Sequence, residues 1–282
     1  MKTHHSARFP AKPFSLFLRS LVYAAAGITI LIIIFISAYI LIKGIPNISL
    51  KLFSPVYTSE NSSLLPALIN TVIMTFLSLL IAAPLGIFAA IYLAEYAGRG
   101  NKLVRAVRLA AETLAGIPSI VYGLFGMLLF VIRLHWGYSL LAGSFTLTIM
   151  ILPLIMRTAE EALLSVPDMY REGSFGLGAG RLRTVFAVVL PPAAPGILGG
   201  IILASGRIIG ETAALIFTAG TVARLPENLF SSGRTLAVHA YSLASEGLHI
   251  NEAYAAAVIL LALAALINTL SYMLAKKLMV ST

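Results

Sequence analysis

Long apolar runs constrain this sequence more than any other feature. Each is long enough, as a helix, to cross a hydrocarbon core of about 30 Å, which takes roughly 20 residues. Hydrophobic residues make up 59% of the 282 residues and charged residues only 11%, which excludes an ordinary soluble domain. The runs lie near residues 21–42, 66–93, 109–132, 143–164, 196–219 and 253–275.

These runs predict helices rather than strands. They are continuous and lack the alternation of a barrel strand, and in lipid a spanning segment must satisfy its own backbone hydrogen bonds. We therefore predict an all-α, polytopic membrane protein with six transmembrane helices. The predicted organisation is a cytoplasmic tail over residues 1–20 and a single transmembrane domain over residues 21–282.

The positions of Lys and Arg predict the orientation. They are concentrated in both tails and in the loops after the second and fourth runs, whereas the loops over 43–65 and 221–252 carry few. By the positive-inside rule both termini are cytoplasmic. The net charge of +9 is spread over several loops, so it forms no single basic face for nucleic acid. The absence of cysteine excludes disulfides and thiolate metal sites.

Prolines and glycines fall inside the apolar runs. Pro84, Pro118 and Pro153 each remove a backbone donor, so we expect them to bend the second, third and fourth helices. The glycines of the third and fifth runs are best explained by close helix packing, since lipid provides no hydrophobic drive for helix association.

Two opposite charges lie inside the fifth run. Arg207 and Glu211 are four residues apart, which predicts one helical face near the middle of the segment. An unpaired charge there costs at least about 2.5 kcal/mol. One interpretation is a structural pair that fixes helix orientation. The other is a substrate path, because a planar guanidinium suits the oxygens of a tetrahedral oxyanion, and Glu211 would help the anion leave by competing for Arg207.

A long polar connection, which we call the elbow, covers residues 165–195. Pro167 offers a break with an N-cap at Asp168, and glycines around Gly178 predict a sharp turn between two short helices. Pro191, Pro192 and Pro195 are expected to end the second short helix before the next span. A plain solvated connector is the alternative interpretation.

The elbow resembles the signature loop of ABC importer permeases. The residues that carry this resemblance are Glu172, Gly173, Ser174, Gly178, Val188, Leu190 and Pro191. The family pattern has Glu-Ala-Ala where this chain has Glu-Gly-Ser. Two further segments, 116–126 and 206–213, look like the phosphate-specific branch, and the length and short N-terminal tail resemble its A-type permease.

This resemblance implies a type I ABC importer permease in the bacterial cytoplasmic membrane that translocates inorganic phosphate. It implies a heterodimer with a C-type phosphate permease, two copies of an ATP-binding subunit and an external phosphate-binding protein. No cofactor is expected on this chain, and ATP-Mg is expected on the partner ATPase. The residues implied in ATPase coupling are Glu172, Gly173, Ser174, Gly178, Leu190 and Pro191, and those implied in the substrate path are Arg207 and Glu211.

Alternatives remain open at this stage. A permease for another oxyanion, such as sulfate, molybdate or phosphonate, is of the same kind, and an ion-gradient-driven carrier that works alone is of a different class. The sequence has no Gly-Lys dipeptide, so the phosphate-cradling nucleotide loop is missing and ATP-derived energy has to come from another polypeptide. A membrane-embedded enzyme lacks support, because no cluster in the spans has metal or nucleophile spacing.

Overall fold

The computed structural model describes residues 13–98 and 100–280. Within these ranges the chain is helical and contains no strand, which confirms the predicted class. The first helix, α1, runs from Pro13 to Gly44. It therefore begins earlier than the boundary predicted at residue 20, and the rest of that predicted tail lies outside the described residues.

Five helical stretches are long and apolar enough to cross a membrane. A sixth is obtained only if Lys102–Ala115 and Ser119–Arg133, which meet at 102°, count as one span. The five are Phe17–Asn47, Leu65–Tyr96, Leu140–Leu164, Arg181–Ile209 and Ile250–Met273.

Ten further helices follow α1 in the described residues, and four of them run on into, or are preceded by, one of three wider turns of the i→i+5 type. The helices are α2 (Leu65–Ile91), α3 (Lys102–Ala115), α4 (Ser119–Gly126), α5 (Leu140–Leu164), α6 (Asp168–Gly176), α7 (Arg181–Thr184), α8 (Leu190–Ile209), α9 (Ala213–Ile216), α10 (Leu236–Glu246) and α11 (Ile250–Val280). The wider turns are Tyr92–Tyr96, Met127–Arg133 and Val185–Val189.

The predicted third span is broken rather than bent. Helix α3 ends at Ala115, and Pro118, with φ −57° and ψ 141°, redirects the chain into α4. The Tyr122 hydroxyl donates to the Leu114 carbonyl at 2.8 Å and holds the two sides of the break together. Pro84 and Pro153, in contrast, lie inside the uninterrupted helices α2 and α5.

The predicted fifth span, 196–219, is wrong at both ends. Helix α8 ends at Ile209, and the chain turns through Gly210 into the short helix α9. At the other end the prolines do not stop the elbow helix, which continues from Arg181 to Ile209. The Leu190 amide bonds to the Val185 carbonyl in a widened turn, and such a turn accommodates the missing donors of Pro191 and Pro192.

Helix α5 is the most buried span and packs against α2 and α8. Glycines permit these contacts, because a Cβ on Gly86 would meet Ile155 at 2.9 Å and a Cβ on Gly200 would overlap Thr158. Close packing is likewise confirmed for some glycines of the third and fifth runs, such as Gly126, where a Cβ would overlap Thr146, and Gly200. Others, such as Gly199, have open space beside them.

The end of the bundle opposite the elbow is closed by the loops predicted over 43–65 and 221–252. The first is irregular, as predicted, with two short 3-10 turns. The second contains α10, which the sequence analysis missed. Asn70 of α2 donates to the carbonyls of Arg234 at 3.1 Å and Arg224 at 3.3 Å, which fixes this loop on the bundle.

Candidate functional site

An apolar groove of about 540 Å³ runs along one side of α8, and we call it the Arg207 groove. Arg207 lies in the last turn of α8 with its side chain exposed, whereas Ile208 is only 2% exposed and belongs to the core. A cation is favoured near a helix C-terminus by the helix dipole. The lining residues are Leu154, Gly199, Ile202, Leu203, Gly206, Arg207 and Asn268.

Arg207 and Glu211 do not form the predicted pair. The helix ends between them, so they do not share a helical face. Glu211 is 9% exposed, and its Oε1 accepts a hydrogen bond from the Ala214 amide at 3.1 Å. Across the ranges 13–98 and 100–280, no ion pair joins the two residues. Glu211 therefore stabilises the start of α9, and Arg207 faces the groove.

The breaks of the third and fifth runs meet beside Arg207. Helix α4 packs on α9 so closely that a Cβ on Gly123 would lie 2.8 Å from the Ala214 Cα. Tyr122, which bridges the first break, is an electrostatic neighbour of Arg207. Non-helical backbone at membrane depth is tolerated where it is buried in protein or lines a cavity, and interrupted helices are typical of substrate sites in transporters.

Asn268 is a groove residue that the sequence analysis missed. It lies on α11, and its Oδ1 is buried without a hydrogen-bond partner among the described residues. The available signal was a lone amide in the otherwise apolar run 253–275. The Arg207 groove thus contains the guanidinium donors of Arg207 and the side-chain amide of Asn268, whose NH2 group can donate, in apolar surroundings. Such donors suit an oxyanion.

The elbow consists of α6, a turn and α7, as predicted. Gly178 has φ +81°, in the region that strongly favours glycine, so the sharp turn is confirmed. The predicted N-cap is displaced by one residue, since Pro167 occupies the cap and Asp168 is the first residue of α6.

The signature residues of the elbow divide into two groups. Glu172, Gly173 and Gly178 are exposed. The Ser174 and Thr184 hydroxyls lie 2.8 Å apart and join α6 to α7. Of the remaining three signature residues, Val188 lines a groove of the elbow, Leu190 packs on the core, and Pro191 lies in the first turn of α8.

The tip of the elbow carries unpartnered apolar surface. Leu177 is 91% exposed, Met169 71% and Leu182 65%. A groove of about 520 Å³ lies next to them, lined in part by Gly173, Ser174 and Gly178. Exposed apolar side chains on a polar connection are typical of surfaces that bind another protein or a membrane.

Arg171, which precedes Glu172, points into the protein. Its Nη2 donates to Glu95 Oε1 at 2.6 Å, and the side chains are 14% and 7% exposed. The side-chain hydrogen bond to Glu95 raises the pKa of Arg171 above its usual value. The sequence analysis missed this pair because its members are 76 residues apart.

Known proteins agree with this architecture. A family model described as a binding-protein-dependent transport system inner membrane component matches residues 82–280. The probable ABC transporter permease protein YqgI of Bacillus subtilis is 38% identical over 242 residues, 79% of this chain and 81% of that protein. The phosphate transport system permease protein PstA of Haemophilus influenzae is 36% identical over 222 residues, 78% of each chain.

A solved structure is similar in fold. It belongs to a bacterial ABC transporter involved in the import of the acidic polysaccharide alginate, with a TM-score of 0.66, 18% identity and coverage of 91% of this chain and 95% of that one. The expected type I ABC importer permease fold is thereby confirmed. This chain belongs to the family of binding-protein-dependent transport system inner membrane components.

Proposed function

We propose that this chain is the permease subunit of an ATP-driven importer that carries inorganic phosphate across the bacterial cytoplasmic membrane. The observation that carries the proposal is the exposed guanidinium of Arg207 in an apolar groove along α8, just before the break that ends this helix. The similarity to permeases named for phosphate transport supports the choice of anion.

Arg207 is the proposed phosphate contact. Its fork of donors matches two oxygens of a tetrahedral anion, and the apolar walls strengthen the attraction by excluding water. Asn268 is the proposed second donor. In the described residues Arg207 has no competing carboxylate, so the anion meets a guanidinium that is available for binding.

Glu211 serves the substrate path by shaping it. Its hydrogen bond to the Ala214 amide holds the turn that follows Arg207. This is a positioning role, in place of the competition for Arg207 expected from the sequence.

The elbow is the proposed docking element for a separate ATPase, on the cytoplasmic side together with both termini. Its exposed apolar tip and its turn at Gly178 support this role. Glu172, Gly173 and Gly178 supply the outer contact. Ser174, Leu190 and Pro191 join that contact to the spans, since they are linked to Thr184 or to the core.

The partners in this proposal are a C-type phosphate permease, two ATP-binding subunits that hold ATP-Mg, and an external phosphate-binding protein. A second permease chain would cover the exposed face of α8 and complete the path. This requirement distinguishes the proposal from a carrier that works alone.

The test is reconstitution of the chain with these partners in vesicles. We expect radiolabelled phosphate uptake that requires ATP and the binding protein, and ATP hydrolysis that rises with phosphate. Excess sulfate, molybdate or phosphonate should not compete. Equal competition by one of these anions would reassign the substrate, and phosphate uptake by the chain alone would replace the importer with a gradient-driven carrier.

A further inference from the structure

Arg171 joins three helical elements at the elbow end of the bundle. It belongs to α6, yet its guanidinium binds the ends of two spans. Nε and Nη2 donate to both Glu95 oxygens at 2.6 to 3.2 Å, and Glu95 lies in the widened turn that ends the second span. Nη1 donates to the Val166 carbonyl at 2.7 Å, and Nη2 also donates to the Leu163 carbonyl at 2.9 Å.

These acceptors are groups that a cation stabilises. Leu163 and Val166 present carbonyls at the C-terminal end of α5, where the helix dipole is negative. Glu95 is a carboxylate at the C-terminal end of the second helical stretch, an unfavourable position without a cation nearby. One side chain therefore binds acceptors at the ends of both spans, and a planar fork of five donors is suited to reach them together.

The side chain of Arg171 points into the bundle, whereas the neighbouring signature residues face outwards. Glu172 and Gly173 face outwards, whereas Arg171 is 14% exposed on its side chain. A second link, between the Ser174 and Thr184 hydroxyls, joins α6 to the start of the helical stretch that contains Arg207. Helix α6 itself has no buried residues, so these polar links, rather than a packed apolar face, are its main attachment to the bundle.

We propose that Arg171 is a positioning residue for energy coupling, which ties α6 to the second and fourth spans so that movement of α6 moves both. This inference rests on the proposed docking role of the elbow and adds the residue through which the movement is passed on. A residue that only stabilised the fold would affect the amount of protein. Arg171 is expected to affect the ratio of phosphate transported to ATP hydrolysed.

The test compares Arg171→Met with the wild-type chain in the reconstituted complex. Met keeps an unbranched side chain of similar length and removes every donor. We expect the ATPase to remain attached and active while phosphate transported per ATP falls by about tenfold, the size expected from losing charge-assisted hydrogen bonds.

The matched control is Arg157→Met. Arg157 also forms an Arg–Glu pair, with Glu161 at 3.1 Å, but both side chains are more than half exposed. An exposed pair of this kind contributes little, so the control should transport at the wild-type ratio.

Two conservative variants keep the test decisive if Arg171→Met does not accumulate. Arg171→Lys retains the charge but cannot reach all the acceptors together, and Glu95→Gln retains the shape but removes the anion. Both are expected to lower the ratio by a smaller factor than Arg171→Met.

The inference is overturned by a wild-type ratio in these variants, by loss of the ATPase from the complex, or by failure of all three variants to accumulate. The last two outcomes would make Arg171 a docking or a folding residue. Phosphate uptake by the wild-type complex in the same vesicles tests the proposed function separately.

Discussion

Arg171 and Arg207 place the same side chain in two opposite situations. Arg171, at the elbow, is largely buried and bound to the carboxylates of Glu95 and Asp168 and to two carbonyls. Arg207, in its groove, is exposed, and within the part of the chain that the structure describes it has no ion-pair partner. Breaking a buried pair typically costs about 3–5 kcal/mol, so Arg171 keeps its partners. In the proposed function Arg207 is available to bind and release an anion, because no carboxylate of the described residues pairs with it.

The largest expected effect is the loss of phosphate uptake when Arg207, the exposed arginine of the groove, is replaced. Replacing Arg207→Gln removes the charge and keeps a donor, so phosphate uptake should fall by about 100-fold or more while the complex still assembles. Uptake of radiolabelled phosphate and co-purification of the partners measure the two quantities. Arg133→Gln, an exposed cation at the end of the third run, is the control and should transport normally. Normal uptake by the Arg207 variant would remove this residue from the mechanism.

The second effect concerns the turn of the elbow. Gly178→Val places a β-branched residue at φ +81°, which costs about 1–2 kcal/mol. We expect weaker retention of the ATPase in pull-down experiments, by about tenfold, and a similar loss of uptake. Gly176→Ala is the control, since Gly176 lies in α6 with open space beside it. Undiminished attachment in Gly178→Val would contradict the docking role.

A smaller effect distinguishes the two interpretations of Glu211. Its structural role requires an acceptor for the Ala214 amide, which Gln provides and Ala does not. Uptake by Glu211→Gln should therefore stay within about threefold of wild type, and Glu211→Ala should lose more, as expected for a lost cap of about 0.5–2 kcal/mol. If Glu211→Gln lost as much phosphate uptake as Arg207→Gln, the negative charge of Glu211 would be required. That result would support the interpretation in which Glu211 competes with the anion for Arg207.

The smallest effect is a gain in stability. Gly173 lies inside α6, and a Cβ there would have nothing within 4 Å. Gly173→Ala should stabilise α6 by about 0.5–1 kcal/mol and raise the thermal unfolding temperature slightly. Reduced ATPase attachment in this variant would show that the partner packs against position 173 and leaves no room for a Cβ there.

The spanning helices and the turn at Gly178 could be predicted from the sequence, because each depends on the chemistry of the local residues. Spanning requires length and apolarity, and a turn with positive φ requires glycine. The breaks after Ala115 and Ile209 were not predicted, because apolar composition continues through both. The apolar composition of a segment indicates that it is buried in lipid or protein, but it does not indicate whether the helix continues through it.

The partners of the charged residues were the least predictable. Arg207 and Glu211 were expected to share one helical face because of their spacing, and that expectation holds only on an unbroken helix. Arg171 and Glu95 are paired by the tertiary packing of distant segments. Helix α10 was missed because its residues lack the length of a span and follow a loop rich in turn residues.

The widened turn at Val185–Val189 has a mechanical consequence. Because it absorbs the prolines, the elbow helix and the helix of Arg207 form one rod of 29 residues, about 40 Å long at about 1.5 Å per residue. The Ser174–Thr184 hydrogen bond attaches α6 to this rod near one end, and Arg207 lies near the other end. A tilt of this rod about the end that is bonded to α6 would therefore displace Arg207 sideways.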